Sequence, residues 1–296
     1  MVYYVINYIK KDVLIMIYIL YNPHSGQKHN WTDEQLLKLE NQFKGKLYDI
    51  TTINDYSEFC SAMSEEDAII LCGGDGTINQ FVNRTKDVDI KADVLYFSNG
   101  SGNDFARDLN HEKADKPFSI KPYLKDLPIV EVKGKTYHFL NNVGFGIDGY
   151  CCEQGDIQKA KGKTAINYTA IAITGLLFHF KPRNAKISVD GVTSEYRKVW
   201  LAPTMKGRYY GGGMMPTPNQ DRSNPDKSLS ILLYHNAGKL KALMVFPKIF
   251  KGEHVKHTNM ITIKTGHEIT VTFDRPTPLQ IDGETILDVT TYTAKA

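Results

Sequence analysis

The stretch Ile69-Ile70-Leu71-Cys72-Gly73-Gly74-Asp75-Gly76-Thr77 decides the fold, because a short apolar run stops there in a glycine turn. The apolar run predicts a strand that is buried on both faces. Residues 78–83 then predict a helix, so the turn joins a strand to a helix start. Glycine lets the backbone approach an anion closely, and the free N–H groups of a helix start favour negative charge. The stretch therefore predicts a phosphate-binding turn.

The acidic residue inside this turn is unexpected. Asp75 would repel a phosphate group unless a cation lay between the two. Carboxylates are ligands that Mg²⁺ prefers, and it commonly bridges protein carboxylates and substrate phosphates. We therefore interpret Asp75 as a direct or water-mediated ligand of a nucleotide-bound Mg²⁺.

Similar strand and turn units flank the stretch in the first part of the chain. Apolar residues 13–21 run into Asn22-Pro23-His24-Ser25-Gly26, and residues 94–97 run into a turn at 98–104. A capping-box pattern at Thr32 predicts a helix start. Further strands and helices are predicted at 46–50, 56–63 and 105–109. Alternating strands and helices predict a parallel α/β sheet, with binding residues at the carboxyl ends of its strands.

The pattern changes near residue 125. Short alternating segments between residues 129 and 273, with turns such as Asp190-Gly191, are typical of antiparallel sheets. One apolar helix is predicted at 164–180. We expect an α/β nucleotide-binding domain at 1–125 and a β-sandwich domain at 126–296, whose last residues pack back on the first domain.

The composition of the chain excludes several classes. Its 296 residues are 42% hydrophobic and 23% charged, which indicates a globular protein. A net charge of +3 argues against a nucleic-acid binder. The four cysteines, at 60, 72, 151 and 152, form no framework and predict reduced thiols in the cytoplasm. Lys10-Lys11-Asp12 interrupts an apolar start that is too short to span a membrane, and Met16 suggests that residues 1–15 are a non-native extension.

Three polar turns at the ends of strands of one sheet are hard to explain as packing alone, although any one of them would be an ordinary turn. Phosphate and ribose contacts are expected from Asn22, Ser25, Gly73, Gly74, Thr77 and Ser101. Asp75 and Asp104 are expected to bind the metal ion and to balance its charge against that of the phosphates. Asp104 also fits the N-cap of the helix that follows it, and the two roles are compatible.

These motifs together resemble the diacylglycerol kinase catalytic-domain family, in the style of its soluble bacterial lipid kinases. The resemblance begins near Ile17 and covers nearly the whole chain. It is carried by residues 22–26, Gly73-Gly74-Asp75-Gly76-Thr77-Ile78-Asn79, Gly100-Ser101-Gly102-Asn103-Asp104-Phe105-Ala106-Arg107, Gly211-Gly212-Gly213-Met214 and Ile281-Asp282-Gly283-Glu284. The motif from Gly73 to Thr77 is shared with NAD kinases, whereas the motif from Gly100 to Arg107 narrows the match to lipid kinases.

The resemblance implies an enzyme that uses ATP and Mg²⁺ to transfer the γ-phosphoryl group to a lipid hydroxyl, in a cleft between two domains. It implies ATP contacts at Asn22, Pro23, His24, Ser25, Gly26, Gly73, Gly74, Asp75, Gly76, Thr77 and Ser101, where Ser101 stands in place of the usual Thr. Thr51 is a further expected ATP contact, and Thr52 matches equally well. Gln80 replaces the usual Glu.

Two carboxylates near the end of the chain supply the expected base. By resemblance, Glu284 is the proton acceptor and Asp282 its close partner. A carboxylate that orients and deprotonates the attacking hydroxyl suits phosphoryl transfer. The alternative is that Asp282-Gly283 is simply a type I′ hairpin turn.

The resemblance also implies a structural Mg²⁺ site in a loop at Ser223, Asp226 and Ser228, built from one carboxylate and main-chain carbonyls. The chain has one Asp there where many relatives have two, and Lys227 where glycine is usual. The alternative is a solvated loop without an ion.

We expect a cytoplasmic enzyme that associates peripherally with membranes, where it meets its lipid substrate. Lys181, Arg183 and Lys186, beside the apolar residues 176–180, form either a patch for an anionic membrane or the charged end of a core helix. The alternatives to a lipid kinase are an NAD kinase and a non-catalytic nucleotide-binding regulator. The sequence leaves open the acceptor lipid, with diacylglycerol as the family default, and the oligomeric state, with a homodimer as one option.

Overall fold

A computed structural model of the protein describes residues 15–23, 31–100, 102–111, 116–163 and 165–296. The expected ATP contacts His24, Ser25, Gly26 and Ser101 lie outside these residues, as does nearly all of the predicted extension at 1–15.

The first sheet has the strand order β2-β1-β3-β4-β5. Its strands are β1 (Ile17–Tyr21), β2 (Lys46–Asp49), β3 (Ala68–Gly73), β4 (Asp93–Ser98) and β5 (Phe118–Ser119). The first four are parallel, as the sequence predicts, and only the two-residue β5 runs antiparallel. Helices α1 (Asp33–Phe43), α2 (Tyr56–Ser61), α3 (Asp75–Arg84) and α4 (Asp104–Asp108) connect or follow these strands.

Burial on both faces explains the continuous apolar run of β3. Successive side chains of a strand point to opposite faces, so Ile69 and Leu71 enter one core cluster whereas Ile70 and Cys72 enter another. The Thr32 hydroxyl accepts a hydrogen bond from the backbone N–H of Gln35, and the Gln35 side chain accepts one from the backbone N–H of Thr32. These two bonds form the capping box that begins α1. The predicted α/β fold with a parallel sheet is therefore confirmed.

The second sheet has the order β13-β12-β11-β8-β14-β15-β6-β7, with β9 paired to β14 and to β10. Its ten strands are β6 (Ile129–Val132), β7 (Lys135–His138), β8 (Asn142–Gly146), β9 (Arg183–Val189), β10 (Val192–Val199), β11 (Leu201–Met205), β12 (Leu229–Tyr234), β13 (Ile261–Gly266), β14 (Glu268–Ile281) and β15 (Glu284–Lys295). All its pairings are antiparallel, which confirms the predicted β domain. The final strand, β15, pairs with β14 and β6 within this sheet.

The second domain also carries helices that the sequence did not reveal. These are α5 (Ile147–Ala160) and α7 (Lys239–Val245). The predicted helix at 164–180 is α6 (Tyr168–Thr174), which continues into a π-helix at Gly175–His179. A second apolar cluster, which includes Trp200 and Tyr234, fills the space between these helices and the sheet. The cysteines are free thiols, in agreement with the sequence prediction.

Candidate active site

The carboxyl ends of the four parallel strands bring those predicted nucleotide contacts that the structure describes to one edge of the first sheet. Asn22 and Pro23 follow β1, and the Asn22 carbonyl accepts a hydrogen bond from the Trp31 indole at 3.0 Å. Thr51 follows β2, is exposed, and donates its hydroxyl hydrogen to Asp49. Their roles in ATP binding stay predictions.

Two glycine turns touch each other at this edge. Gly74 is the N-cap of α3, and within the described part of the chain no side chain caps that helix start. A Cβ atom on Gly100 would lie 2.5 Å from the Gly74 Cα atom, and one on Gly73 would lie 2.2 Å from the Thr77 hydroxyl oxygen. These glycines are therefore required by packing within the protein. A Cβ atom on Gly76 would meet no atom of the described residues within 4 Å.

Asp75 lies at the start of α3 and caps a different helix. Its two carboxylate oxygens accept hydrogen bonds from the backbone N–H groups of Asp104 at 2.8 Å and Phe105 at 3.0 Å, which begin α4. Burial and then the charge of Asp104 raise the pKa of Asp75 to about 6, although these N–H donors oppose the shift.

Asp104 is buried, and only one of its two carboxylate oxygens accepts a hydrogen bond from a described residue. Its Oδ2 accepts a hydrogen bond from Gly212 N at 2.7 Å, which brings the predicted glycine segment 211–213 to the site. Its Oδ1 has no hydrogen-bond partner among the described residues, and the Arg107 guanidinium lies 4.0 Å from it. Burial raises the pKa of Asp104 as well.

The two carboxylates converge on Gly102. A Cβ atom there would lie 3.6 Å from Asp104 Oδ2 and 3.8 Å from Asp75 Oδ2. Two facing acids, one with an unpartnered buried oxygen, suit a hard divalent cation. They form a pair, and the described part of the chain contains no cluster of three or more His, Cys, Asp or Glu side chains that could hold a metal ion.

Asp282 occupies the tight turn between β14 and β15. The φ angles of 47° at Asp282 and 93° at Gly283 confirm the hairpin turn that was the alternative interpretation of this pair. The carboxylate accepts hydrogen bonds from the backbone N–H groups of Leu140, Asn141 and Asn142 and from the Asn79 side chain. Its oxygens are therefore engaged in fixing the turn.

Asn79 connects this turn to the helix that begins at Asp75. The two residues are four positions apart on α3, so they lie on the same face of the helix. The Asn79 Nδ2 atom lies 2.7 Å from Asp282 Oδ2. One turn further on, Asn83 accepts a hydrogen bond from His138 N at 2.9 Å. The same face of α3 thus carries an acid of the nucleotide edge and the anchors of the second domain.

Glu284 begins β15, two residues after Asp282. Its side chain is exposed and makes no hydrogen bond with another described residue. The adjacent Thr285 donates its hydroxyl hydrogen to Asp156 of α5 at 2.8 Å, which fixes the backbone beside Glu284. A fixed backbone with an unengaged carboxylate is suited to accept a proton.

Asp148 is a buried acid that the sequence analysis missed. Its carboxylate accepts hydrogen bonds from Gly149 N and from the Gln280 side chain, whose carbonyl in turn accepts Gly283 N. Burial raises the pKa of Asp148 to about 6. The buried Tyr210 hydroxyl has no hydrogen-bond partner among the described residues, and burial first, then the charge of Asp148, raise the pKa of Tyr210. No local pattern marked Asp148, since it falls inside an unpredicted helix.

Arg222 is a second missed residue, and it joins the two domains. Its guanidinium lies 2.9 Å from Asp108 of α4 and also donates to the Leu140 carbonyl and the Asn141 side chain. It stacks on Phe105, with 4.6 Å from its Cζ atom to the ring centroid. Arg222 therefore holds the carbonyl side of the same loop whose N–H groups bind Asp282.

The predicted structural metal loop is held by hydrogen bonds of its own. The Asp226 carboxylate lies 3.1 Å from His267 Nε2, and the Ser228 carbonyl accepts the Gln220 side-chain amide at 2.9 Å. Lys227 adopts a φ of 57°, which explains why glycine would suit this position. The assignment of Ser223, Asp226 and Ser228 as ligands stays a prediction.

Comparison with known proteins gives two family matches that together cover most of the chain. The family model described as "Diacylglycerol kinase catalytic domain" matches residues 16–126. The model described as "YegS C-terminal NAD kinase beta sandwich-like domain" matches residues 141–294.

Individual relatives are similar at low identity. A candidate lipid kinase of Bacillus subtilis (strain 168) named YtlR is 26% identical over 231 residues, or 73% of each chain. A diacylglycerol kinase of the same strain is 26% identical over 282 residues, covering 90% of this chain and 88% of that protein. A diacylglycerol kinase structure from Bacillus anthracis str. Sterne shares the fold, with a TM-score of 0.57 at 19% identity over 95% of this chain and 93% of that one. None of the described helices is both long enough and apolar enough to cross a membrane.

Proposed function

Because the chain belongs to the diacylglycerol kinase catalytic-domain family, we propose that it transfers the γ-phosphoryl group of ATP to the hydroxyl of a lipid. The observation that carries the proposal is the hydrogen bond between Asn79 and Asp282, which ties the hairpin of Glu284 to the helix of Asp75. An acid pair for a metal and a separate base for a hydroxyl are the parts that phosphoryl transfer needs.

The nucleotide would lie along the carboxyl edge of the first sheet. Asn22 to Gly26, Gly73 to Thr77, Ser101 and Thr51 are the proposed contacts for its phosphates and ribose. Asp75 and Asp104 are the residues that would hold Mg²⁺, and the unpartnered Oδ1 of Asp104 supports this assignment. The bound ion would neutralise negative charge on the phosphate oxygens.

The base in this scheme is Glu284. The acceptor hydroxyl oxygen forms a bond to the γ-phosphorus, the bond from that phosphorus to the bridging oxygen of ADP breaks, and Glu284 takes the hydroxyl proton. Asp282 does not need to touch the substrate, since its oxygens hold the 140–142 loop and Asn79. We assign it a positioning role beside Glu284.

Diacylglycerol is the proposed acceptor, with phosphatidic acid as the product. It is the substrate named for the relatives in Bacillus subtilis and Mycobacterium tuberculosis. Phosphatidylglycerol and sphingoid bases carry hydroxyl groups that fit the same chemistry. A water-insoluble acceptor of this kind implies that the enzyme works in peripheral association with a membrane surface.

The test is incubation with ATP labelled in the γ-phosphate and with separate lipid and NAD acceptors, followed by extraction into organic solvent. We expect label in the organic phase with diacylglycerol, and at least about a hundredfold slower labelling when Glu284→Gln replaces the wild type. Label on NAD would identify an NAD kinase instead. A wild-type protein that binds ATP but labels neither acceptor would favour a nucleotide-binding regulator.

The loop at Ser223, Asp226 and Ser228 is proposed as a separate structural Mg²⁺ site. Asp226 supplies an exposed carboxylate there, and the family resemblance supplies the rest of the assignment. Calorimetric titration of the protein with Mg²⁺ should lose one binding event in Asp226→Ala while Asp75→Ala loses a different one. Identical titrations of wild type and Asp226→Ala would remove the assignment.

A further inference from the structure

Helix α7 exposes apolar side chains where a surface helix normally has polar ones. Leu240 and Met244 lie one turn apart, and they are 73% and 65% exposed. The inward positions, Ala242 and Val245, are buried in the second apolar cluster. Helix α7 is therefore apolar on both sides, and its outer face has no apolar partner among the residues that the structure describes.

The neighbouring π-helix adds to this surface. Phe178 is 70% exposed, whereas Leu176 points inward and is buried. Lys239 of α7 donates a hydrogen bond to the Leu177 carbonyl at 3.0 Å, which joins the two helices side by side. We call the surface formed by Ile173, Phe178, Leu240 and Met244 the α6–α7 face.

The segments that form this face carry no acidic residue. Residues 157–189 and 228–252 together contain ten Lys and Arg residues and no Asp or Glu. The whole chain has 36 basic and 33 acidic residues, so the rest of it carries 26 basic against 33 acidic side chains. The two segments therefore carry an excess of positive charge, although Lys159 is paired with Asp156 at 3.2 Å, and this excess favours a negatively charged partner.

A basic groove adjoins Phe178. It has a volume of about 220 Å³, and Lys181, Arg183, Arg275 and His179 line it, together with one acid, Glu153. Asp274 lies 3.4 Å from Arg275 at the rim. Burial first, and then the charge of Arg275, lower the pKa of Arg183, so an anion in the groove would relieve the repulsion between the two guanidinium groups.

The face is linked to the candidate site through α5. Gly155 of α5 packs so closely on α6 that a Cβ atom there would lie 2.7 Å from the Tyr168 ring. Asp156, the next residue, accepts the hydroxyl hydrogen of Thr285, which adjoins Glu284. One helix thus separates the apolar surface from the proposed base.

We propose that the α6–α7 face docks on an anionic phospholipid bilayer and that the basic groove receives a lipid phosphate group. Phe178, Leu240 and Met244 enter the interface, and the surrounding lysines contact the headgroups. The choice of a bilayer rests on the proposed lipid acceptor. Lys186, which the sequence placed in a membrane patch, is left out, because it stands opposite Glu195 in the β9–β10 pair.

The test is cosedimentation of the full-length protein with vesicles, in the absence of ATP. Vesicles of phosphatidylcholine with phosphatidylglycerol should bind the wild type, whereas vesicles of phosphatidylcholine alone should bind it much more weakly. Leu240→Ser with Met244→Ser should weaken binding about tenfold or more, since two large apolar side chains leave the interface. Arg183→Gln with Arg275→Gln should weaken binding to the anionic vesicles only. Leu37→Ser, which alters an exposed leucine on α1, should change nothing.

The readouts separate this proposal from the proposed function. Phosphorylation of an acceptor in detergent micelles should be unchanged in the Leu240 and Met244 double variant, while phosphorylation of the same acceptor in vesicles should fall. If the protein bound vesicles but phosphorylated no lipid, the proposed kinase activity would be wrong, whereas the proposed docking surface would still hold. Wild-type binding by the double variant would overturn the docking surface. So would a change in its molecular mass in solution without a change in vesicle binding, because the face would then join two copies of the chain.

Discussion

The side-chain amide of Asn79 donates a 2.7 Å hydrogen bond to the carboxylate of Asp282, although the two residues are 203 positions apart in the chain. The same carboxylate accepts three consecutive backbone N–H groups, from Leu140 to Asn142. A turn acid in the second domain therefore fixes both its own hairpin and the helix that carries Asp75.

Asp282→Asn should destabilise the protein by about 3 kcal/mol or more. Each carboxylate oxygen accepts two N–H groups, so the new NH2 group leaves two of these donors without an acceptor, and each unsatisfied group costs about 1–3 kcal/mol. Urea unfolding measures the loss. Asp288→Asn makes the same change at an exposed position of β15 and should stay within about 0.5 kcal/mol of wild type. Equal effects of the two substitutions would contradict the role of Asp282.

Glu284→Gln should leave the stability of the protein nearly unchanged but greatly reduce its turnover. Its exposed carboxylate makes no hydrogen bond with another described residue, so the free energy of unfolding should change by less than about 0.5 kcal/mol. Turnover should fall by about 10² to 10⁴-fold, because the acceptor hydroxyl loses its base. Label transfer from ATP to lipid in micelles measures the effect, and a variant with wild-type turnover would remove Glu284 from the mechanism.

The buried Asp148 predicts a pH dependence of stability. Its pKa is raised from 3.8 to about 6 in the folded protein, so between these values the folded state binds more protons than the unfolded state. Its contribution to stability is therefore lost as the pH rises from about 4 to about 6, by up to about 3 kcal/mol. Unfolding at pH 4 and pH 7 should show that this decline is smaller in Asp148→Asn. Parallel declines in the two proteins would assign the titration to other groups.

Arg222→Met should destabilise the protein by about 3–5 kcal/mol. It leaves Asp108 buried with a weaker set of partners and frees the carbonyl side of the 140–142 loop. Arg208 also contacts Asp108 at 2.9 Å, but its side chain is 34% exposed, so Arg208→Met should cost only about 1 kcal/mol. Thermal unfolding of the two variants provides the comparison, and an Arg222 variant as stable as the Arg208 variant would contradict it.

The parts of the fold that depend on local sequence could be predicted. The apolar run of β3, the capping box at Thr32 and the Asp190-Gly191 turn each encode their structure within a few residues. Helix α5 could not be found in this way. Gly149, Gly155 and adjacent cysteines interrupt its pattern, because it is packed on several sides and needs small residues at its contacts.

The candidate site likewise contains parts that local sequence predicts and parts that it does not. The turn with Asp75 and the pair Asp282 and Glu284 are short motifs, and the sequence places them without difficulty. Their connections are not local. The ion pair of Arg222 with Asp108 spans 114 positions, and the bond from Gln280 to Asp148 spans 132. A single sequence carries no signal for such pairs, since neither partner has a distinctive neighbourhood.

The contact between Gly74 and Gly100 has a consequence for how this site can change over evolutionary time. The two nucleotide turns meet backbone to backbone, with no room for a side chain between them. A larger residue, an insertion or a deletion in one turn would displace the other, along with the acid each one holds in place. Among descendants of this chain, the two turns should diverge together or stay as they are.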